Sequence, residues 1–219
     1  MAALTNTLVV SIEQAVAAPY CTRLLVEAGA RVIKVERPDG DFARHYDTIV
    51  NGESAYFIWL NNGKESLLLD AKDADDKQLL RSILEKADVF IQNLRPGAVN
   101  ALGFGYEQIV GFNPEIIMCS ISGYGGEGDY ANKKAYDFLV QGESGLCSIT
   151  GAPGEPARAG ISVCDISTGL TAYSEILRAL LQRNNSGVGE HLDISLFDVM
   201  AEWMSVPLVV YKYGNKLLS

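Results

Sequence analysis

Strand-like and helix-like segments alternate along the whole chain, and that alternation restricts it to an α/β architecture. Residues 7–12 are an apolar, β-branched run that predicts a strand. Residues 19–28 have helical spacing, with Pro19 near the first turn and Gly29 placed to close the helix, and residues 31–36 predict a second strand. A strand, helix and strand joined this tightly form a βαβ unit, so the strands should run parallel. Further strands are predicted at 66–69, 88–92, 115–121 and 190–194. Helices are predicted at 73–86, 136–145 and 165–183, and an apolar helix follows the last strand to about residue 208. The expected fold is a Rossmann-like open parallel sheet flanked by helices.

With 219 residues and 48% hydrophobic content, the chain can bury one sizeable core. Its 27 acidic residues outnumber 18 basic ones, and no Lys/Arg cluster breaks the negative field. Phosphate backbones and anionic lipid are repelled, so neither nucleic acid nor a membrane is an expected partner. The short apolar stretch at 8–12 lacks the basic flank of a signal peptide, and no run reaches the roughly 18 apolar residues of a span. Cys21, Cys119, Cys147 and Cys164 are scattered in apolar surroundings, which suits buried free thiols and a reducing cytoplasm.

Metal chemistry has little to draw on, because His45 and His191 lie far apart and no cysteine joins them at ligand spacing. A serine nucleophile elbow is also missing, the nearest string being GESG at 142–145. GYGGEG at 123–128 matches a dinucleotide-binding glycine pattern, yet DYANKKAY follows it as loop rather than as the required helix. Lys34, Arg37, Lys64, Lys72, Arg95 and Lys134 lie near strand ends or in loops, where phosphates of a bound ligand would meet them. Asp165 ends the apolar run 159–164 and opens a long helical pattern. A carboxylate there is either a helix cap or a poised nucleophile, and local sequence does not separate the two.

Six strings in fixed order resemble one family. They are AAPYCTRLLVEAGARVIKVERPDGD at 17–41, NNGKESLLLD at 61–70, ADVFIQNLRPGAVNALGFGYE at 87–107, NPEIIMCSISGYGGEGDY at 113–130, KAYDFLVQGESGL at 134–146, and GISVCDISTGLTAYSEILRALLQRNNSGVGEHLDISLFDV at 160–199. Together they resemble the class III coenzyme A transferases of CaiB/BaiF type, a family that includes α-methylacyl-CoA racemases. The resemblance implies that Asp165 is the catalytic nucleophile, passing through aspartyl anhydride and aspartyl-CoA thioester intermediates. Tyr136 stands where the racemases carry histidine. A tyrosine hydroxyl, with an ordinary pKa near 10, is a poor base at neutral pH, which disfavours racemisation.

The same resemblance places Tyr136 and the glycines Gly123, Gly125 and Gly126 around the active site. Val16 and Ala17 would line the thioester end of CoA, Arg37, Lys72 and Lys134 would meet its phosphates, and Leu69, Asn93, Leu94 and Leu102 would surround adenine and pantetheine. Ala101 and Val16 replace an arginine and a glutamine of formyl-CoA transferases, which argues against oxalate. The string WMSVPLVVYKYG at 203–214 leans towards C4 or C5 dicarboxylates such as itaconate, mesaconate or succinate. The implied partners are acyl-CoA and a small carboxylic acid, with CoA as substrate and no permanently bound cofactor or metal. Residues 1–200 would be the CoA-binding large domain and 201–219 the start of a linker to a small domain absent from this chain, with full-length members pairing as interlocked homodimers. The remaining alternatives are an acyl-CoA racemase or epimerase, and a truncated CoA-binding module without turnover.

Overall fold

The computed structural model describes residues 2–216. Six parallel strands make one sheet: β1 (Leu8–Ile12), β2 (Arg31–Glu36), β3 (Glu65–Leu68), β4 (Val89–Gln92), β5 (Ile117–Ser122) and, after a short two-stranded hairpin of β6 (Gly151–Ala152) and β7 (Glu155–Pro156), β8 (Glu190–Ser195). The spatial order is β3-β2-β1-β4-β5-β8. Successive strands are added outward from β1 on one side and from β4 on the other, so the strand order reverses between them and their carboxyl ends open a crevice where an α/β sheet can receive a ligand.

Helices cover both faces. On one face Val9, Ile91, Ile117 and Cys119 pack against α1 (Ala17–Glu27), α8 (Val163–Ser186) and α9 (Leu196–Trp203). On the other, Val10, Val35, Phe90 and Met118 meet α3 (Ala74–Leu84) and the short helices α4 (Ala98–Leu102) and α5 (Tyr106–Val110). Neighbouring residues of one strand thus feed opposite cores, which explains why the central strands read as unbroken apolar runs. The remaining helices are a 3-10 turn (Phe42–His45), α2 (Ala55–Asn61), α6 (Asp137–Glu143), α7 (Leu146–Ile149) and α10 (Ser205–Gly214). No described helix is long and apolar enough to cross a membrane.

Local chemistry sets the helix ends. Gly29, at φ +100°, closes α1: its N–H donates to the Val26 carbonyl while that of Ala30 reaches back to Leu25, the paired bonds of a left-handed helix cap. Asp73 caps α3 by accepting from the Asp75 and Asp76 amides. The expected last helix is interrupted at Met204 and appears as α9 and α10, so the boundary predicted at residue 200 falls inside α9. Helix α8 begins two residues before Asp165 and runs to Ser186, three residues past the predicted end at 183, because Gly187 is the residue that adopts the left-handed cap.

α1 and α8 cross at Gly169. A Cβ there would lie 2.5 Å from the Ala17 carbonyl oxygen and about 3 Å from Tyr20. In an open helix, alanine outranks glycine by about 1 kcal/mol; here the backbone contact reverses the sign. Gly169→Ala should lower stability by roughly 1–3 kcal/mol, seen as a lower urea midpoint. An unchanged or higher midpoint would show that the helices can part without cost.

Candidate active site

Two cavities open beyond the carboxyl ends of the strands. The first, of about 270 Å³, runs under the ends of β1, β2 and β3, with Ile12, Val35 and Leu80 in its walls and Arg37 and Lys72 among its cations. The second, of about 420 Å³, is lined by Val16, Tyr46, Asp47, Tyr56, Tyr136, Asp137, Phe138, Arg158, Gly160, Ile161, Ser162 and Asp165. Loop 13–16 separates them, with Gln14 on the first cavity and Val16 on the second.

That loop is held in an uncommon shape. Ala15 sits at φ +63°, a left-handed conformation that costs a non-glycine residue about 1 kcal/mol or more. Three hydrogen bonds hold it there. The Gln14 N–H donates to Asn93 Oδ1 at 2.9 Å, Asn93 Nδ2 donates to the Gln14 carbonyl at 2.8 Å, and the Ala15 N–H donates to Asp41 Oδ1 at 3.2 Å. Asp41 is in turn paired with Lys34 at 2.7 Å, both side chains fully withdrawn from solvent. A second buried pair, Lys64 with Glu13 at 2.7 Å, anchors the loop's first residue.

Asp165 does not cap its helix. It is the third residue of α8, and the amides of Cys164 and Asp165 donate to Asp137 Oδ1 at 2.7 and 3.1 Å. Asp137 therefore takes the capping role, while Gln141 Nε2 donates to its Oδ2 at 2.6 Å. The first α8 amides are thus not available to hold Asp165 in its ionised form. Burial, reinforced by the Asp137 charge, instead raises the Asp165 carboxyl to about 7. The Tyr46 phenol is pushed up to about 12, first by burial and then by the Asp165 charge, so it remains a neutral O–H donor.

The other residues singled out from sequence fall into three groups. Val16, Tyr136 and Asp165 share the second cavity; Arg37, Leu69, Lys72, Leu94 and Leu102 share the first. Ala17, Asn93, Lys134, Gly123, Gly125 and Gly126 line neither. Ala17 is buried against α8, Asn93 is occupied on both sides by Gln14, and Lys134 is exposed. Gly123 fits closely against Ala135, where a Cβ would clash at 2.1 Å, whereas Gly125 and Gly126 border open space. Lys34 and Lys64, read as possible phosphate contacts, are instead consumed in the two buried ion pairs. Of the four cysteines, Cys147 is only partly buried.

The sequence profile of CoA-transferase family III matches residues 4–219. The chain belongs to that family. An acetyl-CoA:oxalate CoA-transferase of Acetobacter aceti is 41% identical over 212 residues, which cover 95% of this chain and 54% of that enzyme. The succinyl-CoA:glutarate CoA-transferase of Mus musculus is 36% identical, covering 99% of this chain and 50% of that enzyme. A crystal structure of a CaiB/BaiF family protein from Brucella suis superposes with a TM-score of 0.91 at 36% identity, covering 97% of this chain and 58% of that one. This family III chain thus spans about half the length of the curated relatives it matches.

Several lining residues of this family III chain escaped the sequence reading: Tyr46, Asp47, Tyr56, Asp137, Phe138, Arg158 and Ser162. Tyr46 and Tyr56 meet edge to face at 5.9 Å, and the Tyr56 hydroxyl lies 3.2 Å from Ser162 Oγ, which ties the 42–61 segment to the start of α8. The only sequence signal was adjacency: Asp137 and Phe138 follow Tyr136 directly, and Ser162 precedes Asp165 by three residues.

Proposed function

We propose that the protein transfers CoA from an acyl-CoA donor to a small carboxylic acid, with Asp165 as the covalent nucleophile. The observation that carries this reading is a partly buried carboxylate of raised basicity, one loop away from an apolar cavity rimmed by Arg37 and Lys72. The two cavities suit the two ends of an acyl-CoA: cations for phosphates, apolar walls for adenine and pantetheine, and the carboxylate for the thioester.

Asp165 attacks the thioester carbonyl, the C–S bond breaks, and CoA thiolate leaves an aspartyl acyl anhydride. The thiolate then attacks the aspartyl carbonyl, releasing the donor acid and leaving an aspartyl-CoA thioester. The acceptor carboxylate attacks that thioester, expelling the thiolate and forming a second anhydride. Attack of the thiolate on the acceptor's acyl carbon frees the new acyl-CoA and restores Asp165. Each step exchanges a carboxylate for a thiolate, so one hard transfer becomes several easier ones. The Tyr46 hydroxyl is a donor available to developing oxyanions, since the first helix amides are committed to Asp137.

The acceptor is read as a small dicarboxylate. Relatives named for oxalate, glutarate and mesaconate support that class without ranking the acids. For the test, the protein at its full natural length is incubated with an acyl-CoA and digested. Mass spectrometry should find CoA added to the peptide that contains Asp165. Exchange of the substrate's α-hydrogen with deuterated water and no adduct would mark a proton shuttle, and CoA binding without either would mark a binding module.

A further inference from the structure

We infer that Arg158 is a specificity-determining residue that holds the remote carboxylate of the acceptor acid; the inference rests on the reading of Asp165 as nucleophile. The Asp165 cavity is lined by three carboxylates and a single cation, Arg158. An acid entering this cavity as an anion meets an unfavourable field unless a positive group compensates for it.

The other charged groups in the wall are already engaged. Asp47 accepts from the amides of Ala55 and Ile49 at 3.0 Å each and from Ser54 Oγ at 3.4 Å. Asp137 accepts from the α8 amides and from Gln141. Arg158, by contrast, takes part in no ion pair among the described residues; its guanidinium lies over the Phe138 ring, 5.6 Å from the centroid. A cation–π contact of that kind leaves the charge of the exposed guanidinium unneutralised and its N–H donors unused.

The backbone that carries Arg158 is fixed from both sides. The Ala157 N–H donates to the Thr150 carbonyl at 2.7 Å, and the Ala159 N–H donates to Gln141 Oε1 at 2.8 Å. Gln141 is the same residue that donates to Asp137, which in turn holds the first amides of α8. Arg158 and Asp165 are therefore registered to each other through two side chains. An acid with one carboxylate at the acyl centre on Asp165 and a second a few carbons away can offer that second group to the guanidinium fork. A monocarboxylic acid of equal length cannot.

The test uses the full-length protein and matched acceptor pairs, glutarate with valerate and succinate with butyrate, alongside one acyl-CoA donor. The quantity read is the ratio of kcat/KM for the dicarboxylate to that for its monocarboxylate partner. Arg158→Met should lower the ratio roughly 10- to 100-fold, the range expected for a lost charged hydrogen bond, mainly through KM. Arg158→Lys should restore part of it. A ratio unchanged in Arg158→Met, with the CoA adduct on Asp165 still forming from donor alone, overturns the role of Arg158 and leaves the nucleophile intact. Absence of that adduct in the unmodified protein removes the nucleophile reading and this inference with it.

Discussion

Replacing Asp165 with asparagine should abolish CoA transfer, by a factor on the order of 10⁴ or more, while making the fold more stable above neutral pH. The two effects share one cause. The carboxyl titrates near 7 in the folded chain against an ordinary value of 3.8, because burial and then Asp137 oppose its charge. The folded state therefore binds this proton more tightly than the unfolded state. Its contribution to stability falls as pH rises from about 4 to 7, and the full penalty applies above that window. Asp165 is only partly buried, so the penalty is on the order of 1–3 kcal/mol rather than the larger value a fully enclosed charge would give. Asparagine keeps the shape and cannot ionise. Melting curves at pH 8 should show Asp165→Asn above the unmodified protein, with the gap gone near pH 3.5. Equal melting temperatures at both pH values would mean that the site does not strain its carboxylate. The adduct-forming rate supplies an independent check: it should rise with pH through about 7 and shift to lower pH in Asp137→Asn, which removes the neighbouring charge but keeps an oxygen for the α8 amides.

The scaffold was far more legible than the site. Strands β1, β2 and β4 fall within one residue of the bounds read from their apolar runs, since burial on both faces leaves a continuous signal in the sequence. Glycines recur through 97–111, where no helix is predicted, yet Gly97 and Gly103 lie in left-handed conformations at the two ends of α4. Punctuation that marks a loop in a long pattern marks the ends of a helix when the helix has five residues. Asp165 shows the limit for the site. Its neighbours in sequence leave a cap and a nucleophile both open, and the residue that takes those amides, Asp137, comes from a different helix 28 positions earlier. Arg158 likewise acquires its surroundings from Phe138 and Gln141, contacts that no local spacing encodes.

The loop between the cavities gives the largest expected loss of stability. Asp41→Ala should cost about 3–5 kcal/mol, because it leaves the Lys34 ammonium buried without a carboxylate, its remaining side-chain contacts being Asn61 Oδ1 at 2.9 Å and the face of Phe57 at 5.1 Å from the ring centroid. The same change removes the acceptor for the Ala43 N–H at 2.9 Å and for the Ala15 N–H. Urea unfolding measures the first effect, and pairing Asp41→Ala with Lys34→Met separates it from the second. Removing both charges should recover much of the stability, since the isolated buried ammonium is the main cost. It should not restore the Ala15 hydrogen bond, so the strained φ of +63° loses a restraint and Val16 loses its fixed place in the Asp165 cavity. The double variant is therefore expected to fold with near-normal stability yet transfer CoA roughly 10-fold or more slowly, the penalty of an imprecisely held reacting geometry. Full activity in a well-folded double variant would show that Gln14 and Asn93 suffice to set the loop. Recovery of neither stability nor activity would place the cost of Asp41→Ala in its backbone contacts rather than in the unpaired charge.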